Sequence, residues 1–174
     1  MAYWKYPAYL LLLYLLVILQ TSFLPQLSLW GCVCDLVFLA VFLFVFLNPR
    51  KKRFAYVSAV FGGLMLEANS NLPFFGLWIA ALLLAVLSAK KLSSAMQGSS
   101  VFSLCAVFSA AFLCFKSVPW VLLWLFTLAQ KKILLFPSAF SWKELGIAWL
   151  FDLAAVIVCF YVYEFFHQRK NQRN

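Results

Sequence analysis

Four ionisable side chains lie at or inside apolar stretches and are the natural starting point for any chemistry. Asp35 opens one apolar run and Glu67 closes the next; Lys116 interrupts a third, and Asp152 falls about ten residues into the last. A charge in such a setting is costly unless it is paired or reaches water, so these positions mark where the chain does something polar. Catalysis is poorly served by them. The sequence holds no Ser-His-Asp or Cys-His set, no glycine-rich phosphate loop and no metal-ligand spacing. The single histidine, His167, stands beside a basic tail, where a solvated interfacial residue is expected. Cys105, Cys114 and Cys159 lie within apolar runs and read as small hydrophobes. Cys32 and Cys34 are two residues apart, a spacing that rarely closes an unstrained disulfide. No catalytic, cofactor-binding or metal-binding residues are expected, and the chain is read as a non-enzyme.

The surrounding elements explain why. Of 174 residues, 66% are hydrophobic and 11% charged, and the mean hydropathy is +0.96. A soluble domain carries roughly a quarter charged residues, so an all-α integral membrane protein is expected, with residues 1–174 forming a single polytopic domain. The formal charge of +9 does not point to nucleic acid, because the cations cluster at the ends of apolar runs rather than on a basic face with interleaved aromatics. Lipid is the expected surrounding.

Six spans are expected. The first runs from about residue 8 to 24 and is ended by Pro25; no small-residue cleavage site follows it, so it is retained. The second runs from 33 to 47 and stops at Asn48-Pro49 before the cations Arg50, Lys51, Lys52 and Arg53. The third runs from 54 to 67 and places Ala55, Ala59, Gly63 and Glu67 on one helical face, a small-residue stripe leading to a carboxylate, with Ser58 and Gly62 as a second small pair beside it. The fourth covers 74 to 89. Residues 101–129 stay apolar apart from Lys116-Ser117 and Pro119, which fits either one long helix kinked near the proline or a span plus a re-entrant segment; the single helix gives an even number of crossings. The sixth covers 142 to 166 and carries Asp152 and Glu164.

Cation placement orients this arrangement. With the N-terminus inside, Lys5, residues 50–53, Lys90, Lys91, Arg169, Lys170 and Arg173 are cytoplasmic, and only Lys131, Lys132 and Lys143 face outward. The positive-inside rule therefore favours both termini in the cytoplasm. Asp35 and Glu67 then lie near the outer face. Asp35, at a helix start, is suited to capping its own helix. Glu67, at a helix end, meets an adverse dipole and needs solvent, a proton, a cation or polar groups of a neighbouring turn. Lys116, ~24 Å along its helix at 1.5 Å per residue, falls in the same layer, and Asp152 nearer mid-membrane. Charge pairing between Lys116 and one of the acids, fixing helix packing, is the preferred reading; a ligand pocket lined by these groups is the alternative.

Residues 19–76 resemble the rod-shape-determining protein MreD family. The resemblance rests on Leu19-Gln20-Thr21-Ser22-x-Leu24-Pro25, on Gly31 with Asp35-Leu36, on Gly63-Leu64-x-x-Glu67, and on Pro73 with Gly76. The chain departs from the family pattern at Cys34, where proline is usual, at Glu67, where aspartate is usual, and at Ala59, where a glycine is usual. The resemblance implies a bundle of about six transmembrane helices, similar to the substrate-binding subunits of vitamin transporters. It also implies a scaffold of the bacterial inner membrane that binds an MreC-like bitopic protein and couples the MreB filament to peptidoglycan synthases. Asp35, Gly63, Glu67, Lys116 and Asp152 are the candidate interface or polar cluster. A solute-binding transporter subunit is the competing functional class; it would need several hydrogen-bonding groups around an outer cavity, and the chain offers few.

Overall fold

The computed structural model describes residues 5–27, 34–48, 52–70, 75–96, 101–130 and 142–171. Among them there is no strand, and six α-helices follow in order: α1 (Lys5–Ile18), α2 (Leu36–Leu47), α3 (Lys52–Ala68), α4 (Leu77–Ala95), α5 (Val101–Gln130) and α6 (Trp142–Asn171). Leu77–Ala95, Val101–Phe126 and Trp142–Phe165 are each long and apolar enough to cross a membrane, and Pro7–Phe23 and Leu36–Leu47 are shorter apolar helices. The protein is an all-α membrane protein.

The sequence LVFLAVFLFVFL makes α2 apolar on every face, and such a helix must be surrounded. Accordingly Val37, Phe38, Leu39, Val41, Phe42 and Val45 are all buried. Its phenylalanines reach across to α5. Phe38 stacks on Phe115 with centroids 4.7 Å apart, and Phe42 meets Phe108 edge-on at 5.2 Å. These offset and edge-to-face geometries are the ones the ring quadrupole favours. Where side chains are small, backbones come closer instead. Ala81, Ala85 and Ala89 recur every four residues on α4 and are all buried, and α4 packs most extensively along α5 and α3. In lipid, where hydrocarbon outside is as apolar as hydrocarbon inside, such close packing is a main source of helix association. Helix α6 is the loosest member, with exposed Leu150, Phe151, Val158 and Val162 along its length.

Several expected boundaries shift. The first α-helix ends at Ile18, well before Pro25, and continues as a π-helical turn over Leu19–Phe23 and a 3-10 turn over Leu24–Leu27. The Thr21 hydroxyl donates to the Val17 carbonyl at 2.9 Å, offering that carbonyl a partner where the α pattern gives way. Pro25 sits early in the 3-10 turn, where its missing N–H costs nothing. The fourth helix starts after Gly76 rather than at residue 74 and continues past Lys90-Lys91, because the polar residues after the apolar run extend the helix beyond it. Gly76 has φ 102°, a conformation open to glycine at little cost, and it turns the chain into α4. Residues 101–130 form one continuous helix with Pro119 inside it, so the re-entrant alternative does not apply.

The small face of α3 is fully used. Ala55 and Ala59 are wholly buried, Gly63 and Glu67 at its end are buried, and Ser58 and Gly62 are buried beside it. The tightest approach is at Gly63: a Cβ there would lie 2.6 Å from the Ile79 Cα and 2.9 Å from its backbone nitrogen. At Gly62 the nearest atom would be a Val37 methyl at 3.1 Å, which a small side-chain shift can relieve. Gly63→Ala should therefore lower the thermal unfolding midpoint in detergent, at a cost of ~1–3 kcal/mol for forced backbone separation. Gly62→Ala should cost less than half of that. Equal melting of the two variants would show that α3 and α4 are not in backbone contact at Gly63.

Candidate functional site

Helices cannot end freely in a bilayer. The first N–H groups of a helix have no partner within it, and a bilayer core holds no water to supply one. Helix α2 meets this at its buried start. Asp35 stands at its N-cap position, yet the carboxylate makes no capping bond to its own helix. The expectation that Asp35 caps α2 is therefore corrected. Other helices supply the acceptors. The Asp35 N–H donates to Asp152 Oδ1 on α6 at 3.3 Å, and the Val37 N–H donates to Gln20 Oε1, in the π turn after α1, at 3.2 Å.

Relieved of capping, the Asp35 carboxylate binds elsewhere. Its Oδ2 forms an ion pair with Lys116 Nζ on α5, and its Oδ1 accepts from Gln20 Nε2 at 3.1 Å. Gln20 thus donates to Asp35 with one end of its amide and accepts from the α2 backbone with the other. Lys116 also lies over the rings of Phe115 and Phe112, 5.6 and 5.7 Å from their centroids. The pair is mostly buried, with Asp35 12% and Lys116 26% exposed at the side chain.

Asp152 completes the cluster. It is fully buried and lies beside Asp35 rather than in a deeper layer, a correction to the position expected from residue counting. The Cys34 thiol also faces it. Four helical segments therefore converge on one polar knot: the α1 extension through Gln20, α2 through Asp35, α5 through Lys116 and α6 through Asp152. A second bond ties α6 to α5, the Trp149 Nε1–H donating to Ser109 Oγ at 3.2 Å.

Glu67 works at a separate point. Its Oε2 accepts the Trp78 N–H at 2.9 Å, two residues into α4, whose own N-cap is Gly76 and offers no side chain. The C-terminal dipole of α3 opposes a carboxylate there, but the N-terminal dipole and free N–H groups of α4 favour it. Glu67 is thus held by the polar groups of the neighbouring turn, one of the alternatives open from sequence. Trp78 in turn packs on Phe115, centroids 5.5 Å apart, so the two polar points are joined through one aromatic contact.

Of the sequence candidates, Asp35, Lys116 and Asp152 come together, whereas Gly63 and Glu67 form the α3–α4 contact. Gln20 and Cys34 were not singled out as cluster members. An amide at the end of an apolar run is the signal that could have found Gln20, since its hydrogen-bonding capacity must be met inside the bundle. Tyr9 was missed too; its hydroxyl donates to the Ala40 carbonyl at 3.1 Å and ties α1 to the middle of α2.

Chemically, the knot holds charge and hydrogen bonds. Cys34 has no imidazole to activate it, because His167 lies ~22 Å along α6 from Asp152 at 1.5 Å per residue. No group of three metal-ligating side chains forms among the described residues. Family models, curated proteins and solved structures were each compared with the chain, and none matches it.

Two outcomes follow from these contacts. Lys116→Met leaves the Asp35 charge buried and uncompensated and should destabilise the bundle by ~3–5 kcal/mol, read as a lower detergent melting temperature. The double variant Asp35→Asn with Lys116→Met should recover most of that loss; a double variant as unstable as the single one would show that the two groups are not coupled. At the other point, Glu67→Ala strands the Trp78 N–H and should cost ~1–2 kcal/mol, in the range of a lost cap. Glu67→Gln keeps an acceptor and should cost less, a ranking that thermal melts would reverse if Glu67 were merely solvated.

Proposed function

We propose that the chain is a non-enzymatic membrane scaffold of the bacterial cell-elongation machinery, a divergent relative of the MreD family. In this reading it binds an MreC-like bitopic protein and links the MreB filament, directly or through partners, to peptidoglycan synthases. It resides in the bacterial cytoplasmic membrane with six crossings and both termini inside, the orientation that the cations at 5, 50–53, 90–91 and 169–173 favour.

One observation supports this reading above the others. Five of the residues that carry the family resemblance join or start helices, while Gly31 and Pro73 lie outside the described residues. Gln20 and Asp35 bind each other and the start of α2, Gly63 lets α3 meet the α4 backbone, Glu67 holds the α4 N–H of Trp78, and Gly76 makes the turn into α4. A motif made of packing and capping residues is what a scaffold needs, since its product is a shaped surface rather than a reaction. An enzyme or solute carrier would place its distinctive residues around a cavity.

The test is cellular and biochemical. Affinity purification of the tagged chain from its native membranes should recover a bitopic coiled-coil protein, and depletion should convert rods to spheres. Normal cell shape on depletion, combined with tight vitamin binding by the purified chain, would instead identify a solute-binding transporter subunit.

A further inference from the structure

We propose that Asp152 is a proton-binding site, and that its protonated carboxyl is the form that packs α6 against the start of α2. The inference stands on charge and geometry around one side chain and is independent of the scaffold role.

Among the described residues, three groups in the knot can carry full charge: the carboxylates of Asp35 and Asp152 and the ammonium of Lys116. One cation cannot neutralise two anions. Lys116 is committed to Asp35 through the ion pair, and Asp35 is further held by Gln20. Asp152 is the acid left over. It has no exposed surface, its Oδ1 accepts the Asp35 backbone N–H, and its Oδ2 is buried with no hydrogen-bond partner among the described residues. Asp35 and Lys116 act on it with opposite charges, and the Cys34 thiol, just before α2, also faces it; a thiol is a weak donor.

An ionised carboxylate left this way, with one bare oxygen inside an apolar bundle, is expensive enough that it is neutralised instead. A proton on Asp152 meets this need with one small group. Structural metal sites need about four protein ligands, and calcium six to eight oxygens, whereas here one oxygen is open. Protonation of Asp152 removes the excess negative charge and leaves Oδ1 free to accept the Asp35 N–H. Proton occupancy consequently couples α6 to the rest of the bundle. This is the helix with the most to gain from such a tie, because its packing is otherwise confined mainly to α5 and α2.

Infrared difference spectroscopy on the purified full chain at neutral pH tests this directly. The wild type should show a carboxylic-acid C=O stretch that shifts when the protein is made with carboxyl-¹³C aspartate. Asp152→Asn should abolish that band, and Glu164→Gln, on the same helix, should leave it in place. If Asp152→Asn does not fold, Asp152→Glu keeps the test decisive, since its band should persist but no longer shift with labelled aspartate. Absence of an aspartic-acid band in the wild type, or its survival in Asp152→Asn, overturns the proposal.

Discussion

The fold depends on satisfying helix N-termini with groups from other helices. Two helices begin inside the bundle, and each begins without a usable side-chain cap of its own. Helix α2 has Asp35 in the capping position, but that carboxylate is turned to Lys116; α4 has Gly76, which has no side chain. In a soluble protein, solvent would complete both ends at little cost. Here the acceptors come from elsewhere: Gln20 and Asp152 for α2, Glu67 for α4. Each capping bond is consequently also a bond between helices, and local and tertiary structure cannot form independently at these points.

This economy explains why so few polar residues hold so apolar a chain. Lipid provides little net drive for apolar helices to associate, so association comes from close packing and from hydrogen bonds that cannot be made outside. The bundle uses both. Gly63 against Ile79 and the buried alanines of α4 give close approach. The phenylalanines of α2 and α5 fill the wider gap, and the knot around Asp35 fixes the register of four helical segments. The π turn at Leu19–Phe23 belongs to the same solution, because it carries Gln20, whose amide serves a side chain and a backbone group of α2 together. Wide turns of this kind recur at functional sites in helices.

The burial of charge is asymmetric, and the asymmetry matters. Asp35 and Lys116 compensate each other; Asp152, beside that pair, is bonded by a backbone N–H and faced by a thiol. Glu67 rests against one helix N-terminus and needs no cation. Three acids in one bundle thus meet three environments: an ion pair, a helix dipole, and an apolar interior with one oxygen unserved.

Composition and span-length apolar runs already mark an all-α membrane chain, since no soluble core accounts for so apolar a composition. The sequence by itself also determined the stripe Ala55, Ala59, Gly63 and Glu67, because helical periodicity alone puts those residues on one face, and it marked Asp35, Lys116, Asp152 and Glu67 as positions where burial would demand partners. Which partner each one takes was decided by tertiary structure. Spacing along a helix gives depth only to within a turn or two, so Asp152 was expected deeper than Asp35 and instead meets it. Capping is usually local in water, so sequence alone points Asp35 at its own helix and leaves Glu67 a choice between a cation and the polar groups of a neighbouring turn. The acceptors that complete α2 and α4 lie 11 to 117 residues away along the chain. A hydrogen bond between distant segments leaves no periodic trace in either one, and only the packed bundle brings its two ends within reach.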